Sequence, residues 1–205
     1  TLSGLYIKSE PWEKAHELWY EEMSKKLNDS SIKELIDKPN YFEGVDIVMK
    51  RLYPKLNDDE RTRKAREIFF DSVVKYIKSN PSVINKDIIE FFNSIKLDFR
   101  IALLTTNTKQ ATNKILKITN LEDLFDISEF SLPEEKDDKK VVFQRFIKKH
   151  GKPILYVGWG RRDSYDYCKE LKINNVFANL ENNDDISGVK SIHNIKELKE
   201  IINGL

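Results

Sequence analysis

Two short segments combine residue types able to hold an anion. In Leu104-Thr105-Thr106-Asn107 a hydroxyl and an amide follow an apolar run. Thr106, with the free amides of a helix that follows, could bind a phosphate oxygen, and Asn107 could add its side-chain amide. In Leu155-Tyr156-Val157-Gly158-Trp159-Gly160-Arg161-Arg162-Asp163 the glycines would let backbone approach a ligand, with a carboxylate at the start of the next helix. Between the two lie Lys136, Lys139 and Lys140, compact charges able to steady a phosphate. Taken singly, Thr106-Asn107 reads more readily as a helix cap than as a site, and the second segment as a glycine turn with Asp163 as N-cap. What singles them out is their order along the chain and their shared position after apolar runs.

Other chemistry-bearing types read as structural. His16 lies beside an apolar helical stripe, His150 ends a helix where its partial charge suits the dipole, and His193 precedes the last helix. No pair of them has metal-ligand spacing. Arg161 and Arg162 could grip a phosphate or form a solvated surface pair. Trp12 and Trp19 fit packing within helices. The only cysteine is Cys168, which excludes an internal disulfide and a cysteine zinc site, and the expected setting is a reducing cytoplasm.

The elements that must position these residues fall into two textures. From Pro11, apolar residues at Trp12, Ala15, Trp19, Met23 and Leu27 draw one stripe along an α-helix, which Ser9 or Glu10 can cap. Helical spacing continues near 45–52, through Ala65, Ile68, Phe69, Val73, Tyr76 and Ile77, and near 88–95. At Asp98 the texture changes. Ile101-Ala102-Leu103-Leu104, Ile154-Leu155-Tyr156-Val157 and Val176-Phe177-Ala178 are short continuous apolar runs, as in parallel strands buried on both faces. Helical segments at 110–118, 141–149 and 164–171 alternate with them. A last helix at 195–202 carries Asn194 as N-cap and Glu197 in capping-box position. The pattern predicts an α/β protein with a doubly wound parallel sheet and an inserted all-helical cap: residues 1–10 and 98–205 form the core and 11–97 the cap. In such sheets ligands bind beyond the carboxyl ends of the strands, where both anion-holding segments fall.

Composition excludes some partners. Lys+Arg 35 against Asp+Glu 34 leaves a charge of +1, so no global field favours nucleic acid or an anionic membrane. No apolar run approaches the roughly 20 residues of a membrane span, and no signal-peptide core is present near Thr1.

The ordered set of Thr106-Asn107, a lysine among Lys136 and Lys139, and Gly158 to Asp163 resembles the haloacid dehalogenase superfamily. The resemblance covers nearly the whole chain. It implies a Rossmann-like core in which a Ser/Thr, a Lys and an acidic Gly-Asp segment surround a nucleophilic Asp. Thr106 matches the family's second motif and Lys136 or Lys139 its third. Gly158 and Asp163 match the fourth, while Trp159 stands where its first metal-binding Asp belongs. Ser9-Glu10-Pro11 with the following helix looks like the start of the family's helical cap.

The first motif, DxDGT, has no match that preserves its carboxylates. Aligned without gaps on Ser9-Glu10-Pro11, Thr1 and Ser3 stand for the nucleophile and the general acid. Alternatively, Leu2 to Ile7 form the first strand and Lys8 and Glu10 take those places. The family's first strand lies mid-sheet, and an empty place there would leave backbone donors and acceptors of both neighbours unpaired. The resemblance with these departures implies a catalytically degenerate protein whose crevice still binds a small anionic or phosphorylated molecule, with no cofactor. Asp163 alone would make a weak metal ligand, because Mg²⁺ requires several oxygen ligands. The alternative is an active Mg²⁺-dependent phosphatase of small phosphorylated metabolites, its nucleophilic Asp upstream of Thr1. A third reading is an interaction protein that uses the cap surface.

Overall fold

Successive residues of the strands enter different hydrophobic clusters, which places helices on both sides of the strand layer. Leu103 and Ala178 join a cluster with Ile115, Phe92 and Ile202. Their neighbours Leu104 and Phe177 join another with Phe143, Phe146, Tyr165 and Cys168. Side chains alternate across a strand, so a continuous apolar run can satisfy two helical layers at once. The arrangement is that of a doubly wound α/β fold.

The computed structural model describes residues 1–37, 41–135, 138–160 and 162–205. The strands are β1 (Ala102–Thr108), β2 (Ile127–Ser131), β3 (Leu155–Gly158), β4 (Asn174–Ala178) and β5 (Ser191–Ile192). The helices are α1 (Glu10–Leu27), α2 (Tyr41–Leu52), α3 (Asp58–Ser79), α4 (Lys86–Ser94), α5 (Lys109–Thr119), α6 (Lys139–His150), α7 (Arg162–Glu170) and α8 (Ile195–Asn203). All strand pairings between these elements are parallel. They form two sheets, β1-β2 and β3-β4-β5, so β1 and β3 are both edge strands.

β1 runs four residues beyond the apolar run, carrying Thr105, Thr106 and Asn107 within the strand. β2 escapes the apolar-run criterion because its buried positions are polar: Glu129 and Ser131. Glu129 is held there by Arg145 Nε at 3.2 Å and Lys149 Nζ at 2.8 Å, which offsets the cost of burying its charge. The last helix starts as its sequence requires, Asn194 accepting from the Glu197 amide at 3.1 Å.

Helices α1 to α3 share a core of their own, built on Trp19, Tyr20, Met23, Val48, Met49 and Ala65. The second half of α3 (Phe70, Val73, Ile77) and α4 (Ile88, Phe91, Phe92) pack instead into the cluster beneath the strands. Pro11 sits in the first turn of α1 as expected, but Ser9 makes no side-chain cap bond. Its backbone is helical already, and its N–H donates to Glu181 Oε1 at 2.9 Å.

Residues 2–7 do not form the central strand. Gly4 adopts φ +72°, a left-handed turn that L side chains disfavour. The chain therefore doubles back, with Gly4 N–H donating to the Ile7 carbonyl at 2.7 Å and Ile7 N–H to the Leu2 carbonyl at 3.0 Å. Leu2, Leu5, Tyr6 and Ile7 consequently all turn into the core instead of alternating between faces. No helix among the described residues is long and apolar enough to cross a membrane.

Candidate anion-binding crevice

A crevice of about 720 Å³ lies between helices α1 and α3 and the carboxyl ends of β1 and β3. Thr105, Thr106 and Asn107 enter it from β1, Lys139 from the first turn of α6, and Trp159 and Gly160 from the segment after β3. Thr1 and Ser3 line it from the amino-terminal turn; Trp12, Glu13, His16 and Arg66 line it from the helices.

Capping does not account for Thr106 or Asn107. The N-cap of α5 is Thr108, whose hydroxyl accepts from the Ala111 amide at 3.3 Å. Asn107 donates its own N–H to Thr105 Oγ1 at 3.1 Å, a local bond that shapes the strand end. Thr106 is half-buried, and its carbonyl accepts from Arg66 of α3.

Lys139 is buried, and its ammonium donates to the Leu104 carbonyl at 2.5 Å. Burial brings its pKa down to about 7, against an opposing pull from the Asp163 carboxylate. The Thr1 amine, also buried, falls to about 4 through burial and then the charge of Lys139. Asp138, just before α6, accepts from the Lys140 and Val141 amides and so caps the helix start. Lys140 itself is exposed, 5.1 Å above the Tyr167 ring. Lys136 and Arg161 lie outside the described residues.

Other candidates sit elsewhere. Gly158 is buried at the end of β3, where a Cβ would meet the Tyr156 ring, and does not line the crevice. Asp163 is exposed at the start of α7 and accepts from the Ser164 amide at 2.8 Å. It acts on the crevice through its charge on Lys139. Lys8 and Glu10 are exposed and outside the crevice; Glu10 accepts from the Tyr76 hydroxyl. Their proposed place as nucleophile and acid required a strand at residues 2–7, which the Gly4 turn replaces.

Among the described residues no group of three or more His, Cys, Asp or Glu could hold a metal. Trp159 supplies no oxygen ligand, and Asp163 accepts from the Ser164 amide.

The remaining side chains separate into wall and surface. His16 lines the crevice half-buried, and burial lowers its pKa. Trp12 lines it too, whereas Trp19 is core. His150 packs on Phe146, His193 lies 3.7 Å from Asp185, and Arg162 pairs with Asp166. Cys168 is buried, and burial pushes its thiol up to about 12. Arg66 is the residue that sequence patterning overlooks. It is buried, lies 5.7 Å from the centre of the Phe70 ring and donates to the carbonyls of Thr106 and Glu135. A signal existed: with Phe70, Val73 and Ile77 it shares one helical face, so a cation interrupts an apolar stripe.

No family model matches the chain, and no curated protein matches it in sequence. Solved structures do match. A HAD phosphatase from Thermococcus onnurineus superposes with a TM-score of 0.63 at 18% identity, covering 99% of this chain and 95% of that one. A haloacid dehalogenase-like hydrolase from Streptococcus pneumoniae gives 0.60 at 14% identity, covering 93% and 91%. A dehalogenase gives 0.55 at 12%, covering 97% and 93%. The chain therefore has the haloacid dehalogenase-like fold.

Proposed function

We propose that the crevice binds a small phosphorylated or otherwise anionic molecule and that the chain as it stands does not hydrolyse it. One observation carries this reading. Lys139, Arg66 and His16 line the crevice together with Thr106, whereas Glu13 is the only carboxylate among its described lining residues. Such a wall favours an anion through charge and hydrogen bonding, and lacks an acid on the strand side to act as nucleophile. Of residues 11–97, α1, α2 and the first half of α3 serve as the cap that closes over it, while the second half of α3 and α4 join 1–10 and 98–205 in the core. Thr106 and Asn107 hold ligand oxygens, and Lys139 supplies the cation, with Lys136 a second candidate for that part.

The runner-up is a Mg²⁺-dependent phosphatase of small phosphorylated metabolites whose aspartates precede Thr1. In its favour, Lys139 is a buried cation with a carbonyl partner, next to Thr1, where a carboxylate would be well paired. Two measurements on one preparation separate the readings. Titration with inorganic phosphate should raise the melting temperature, and turnover of p-nitrophenyl phosphate should be the same in Mg²⁺ as in chelator. Absence of a phosphate-dependent shift removes the binding reading; turnover that follows Mg²⁺ and protein concentration installs the phosphatase.

A further inference from the structure

The crevice is larger than a small inorganic anion needs. Its volume of about 720 Å³ falls among sites that enclose a drug-sized molecule, roughly 300–1,000 Å³. Its polar groups gather at the strand end, where Thr106 and Lys139 line it and Arg66 donates to the Thr106 carbonyl. Aromatic rings reach it from three elements distant in sequence: Trp12 of α1, Phe69 of α3 and Trp159 after β3. All three are half-buried, so each ring packs partly on the hydrophobic clusters and leaves the rest of its surface to the crevice. Ala65, one turn before Phe69 on the same face of α3, also lines the crevice and keeps that part of the wall low.

We propose that the crevice takes a phosphate monoester that carries a flat aromatic ring, with the phosphate at Thr106 and Lys139 and the ring against Trp12 and Phe69. This rests on the anion-binding reading above and names the class of molecule that the site accepts. A flat ring stacked on aromatic side chains buries apolar area on rigid groups, and the gain is tolerant of which ring is bound. An aliphatic or sugar phosphate has no flat face to offer and would leave those rings in contact with water.

Glu13 sets the orientation. It follows Trp12 on α1, is exposed, and lines the same crevice. Its carboxylate repels a phosphate and attracts an N–H donor, so the phosphate goes to Lys139 and any polar edge of the ring turns to Glu13. A nucleobase presents such an edge, and a plain aryl group does not.

Calorimetric titration of the chain with guanosine monophosphate, phenyl phosphate, ribose phosphate and inorganic phosphate tests the proposal. Both ring-bearing esters should bind at least tenfold more tightly than ribose phosphate, the worth of one stacked ring. Trp12→Leu, which keeps an apolar side chain on the core, should abolish that advantage and leave inorganic phosphate binding at the parent's affinity. Trp12→Phe should retain most of it. The ranking of the four ligands in the parent stands as evidence even where Trp12→Leu is too unstable to titrate. The two ring-bearing esters separate the two sources of such a ring: tighter guanosine monophosphate, with the excess lost in Glu13→Ala, assigns a nucleotide, and equal affinities assign a simple aryl ester. Equal binding of all four ligands would overturn the ring site while the anion reading stood, and binding of none would overturn both. A preference for the ring-bearing esters that survived in Trp12→Leu and in Phe69→Leu would overturn the placement of the ring.

Discussion

The indole of Trp159 fills the space that a β-carbon on Gly4 would need, so the residue after β3 packs against the amino-terminal turn. Gly4 is also the residue whose positive φ reverses the chain. The two positions are coupled: the turn can close because Gly4 has no side chain, and Trp159 covers it.

Gly4→Ala should therefore destabilise the protein by about 2–4 kcal/mol, from left-handed strain plus overpacking against the ring. For a chain of this size that is a fall of roughly 5–15 °C in melting temperature. Trp159→Leu in the same chain should recover only the overpacking part, since the backbone strain at Gly4 remains. Equal stability of Gly4→Ala and the parent would show that the turn is not formed in solution.

Thr106 and its neighbour Thr108 should separate binding from folding. Thr108→Val removes the cap hydroxyl of α5 and should cost about 1 kcal/mol of stability with phosphate affinity little changed. Thr106→Val should leave urea stability within about 0.5 kcal/mol while weakening phosphate binding roughly five- to tenfold, the worth of one hydrogen bond. Calorimetric titration of both variants checks the crossing pattern; identical affinities would remove Thr106 from the site.

Lys139 makes stability rise with pH. Its folded pKa of about 7 lies below the ordinary lysine value of 10.5. Between those values the unfolded chain binds more protons than the folded one, so raising the pH favours folding. Lys139→Met lacks this contribution. The melting temperature of the parent relative to Lys139→Met should climb between pH 7 and pH 10. A difference that stayed flat across that window would mean that the ammonium is solvated rather than buried.

Arg66→Met should loosen the helices over the crevice. The substitution keeps an apolar stem against Phe70 but strips charged donors from the carbonyls of Thr106 and Glu135. A loss of about 2–4 kcal/mol is expected from the urea midpoint. Limited proteolysis should cut α3 faster than in the parent, an effect that simple loss of surface charge would not produce.

Trp159→Asp alone should not create a Mg²⁺-dependent phosphatase. The change removes a packed indole, at a cost of about 3–5 kcal/mol, and adds one oxygen ligand to a crevice whose strand side has no nucleophilic carboxylate among the described residues. Only a chain that also carries an Asp at the first-motif position should turn over p-nitrophenyl phosphate faster with Mg²⁺ than with chelator. Appearance of that activity in the single variant would reveal a nucleophile outside the residues considered for the first motif.

Local patterning was enough for much of this molecule. Apolar runs at Leu103-Leu104, Tyr156-Val157 and Val176-Phe177 specify strands buried on both faces, because period-two alternation between two helical layers leaves no polar position to spare. The stripe from Trp12 to Leu27 specifies a helix, and the polar residues after β1 mark the crevice end, because strand direction and helix starts are short-range properties. β2 was illegible, since its buried Glu129 becomes tolerable only when Arg145 and Lys149 of a later helix reach it. Arg66 was illegible as a wall residue for the same reason: its carbonyl partners lie 40 and 69 residues away in sequence. Only tertiary structure decided that residues 2–7 turn instead of pairing, because Gly4 can adopt either backbone and the Trp159 ring selects one. It also decided that Trp12, Phe69 and Trp159 line one crevice, a relationship set by helices packed over the strand ends and carried by no single segment.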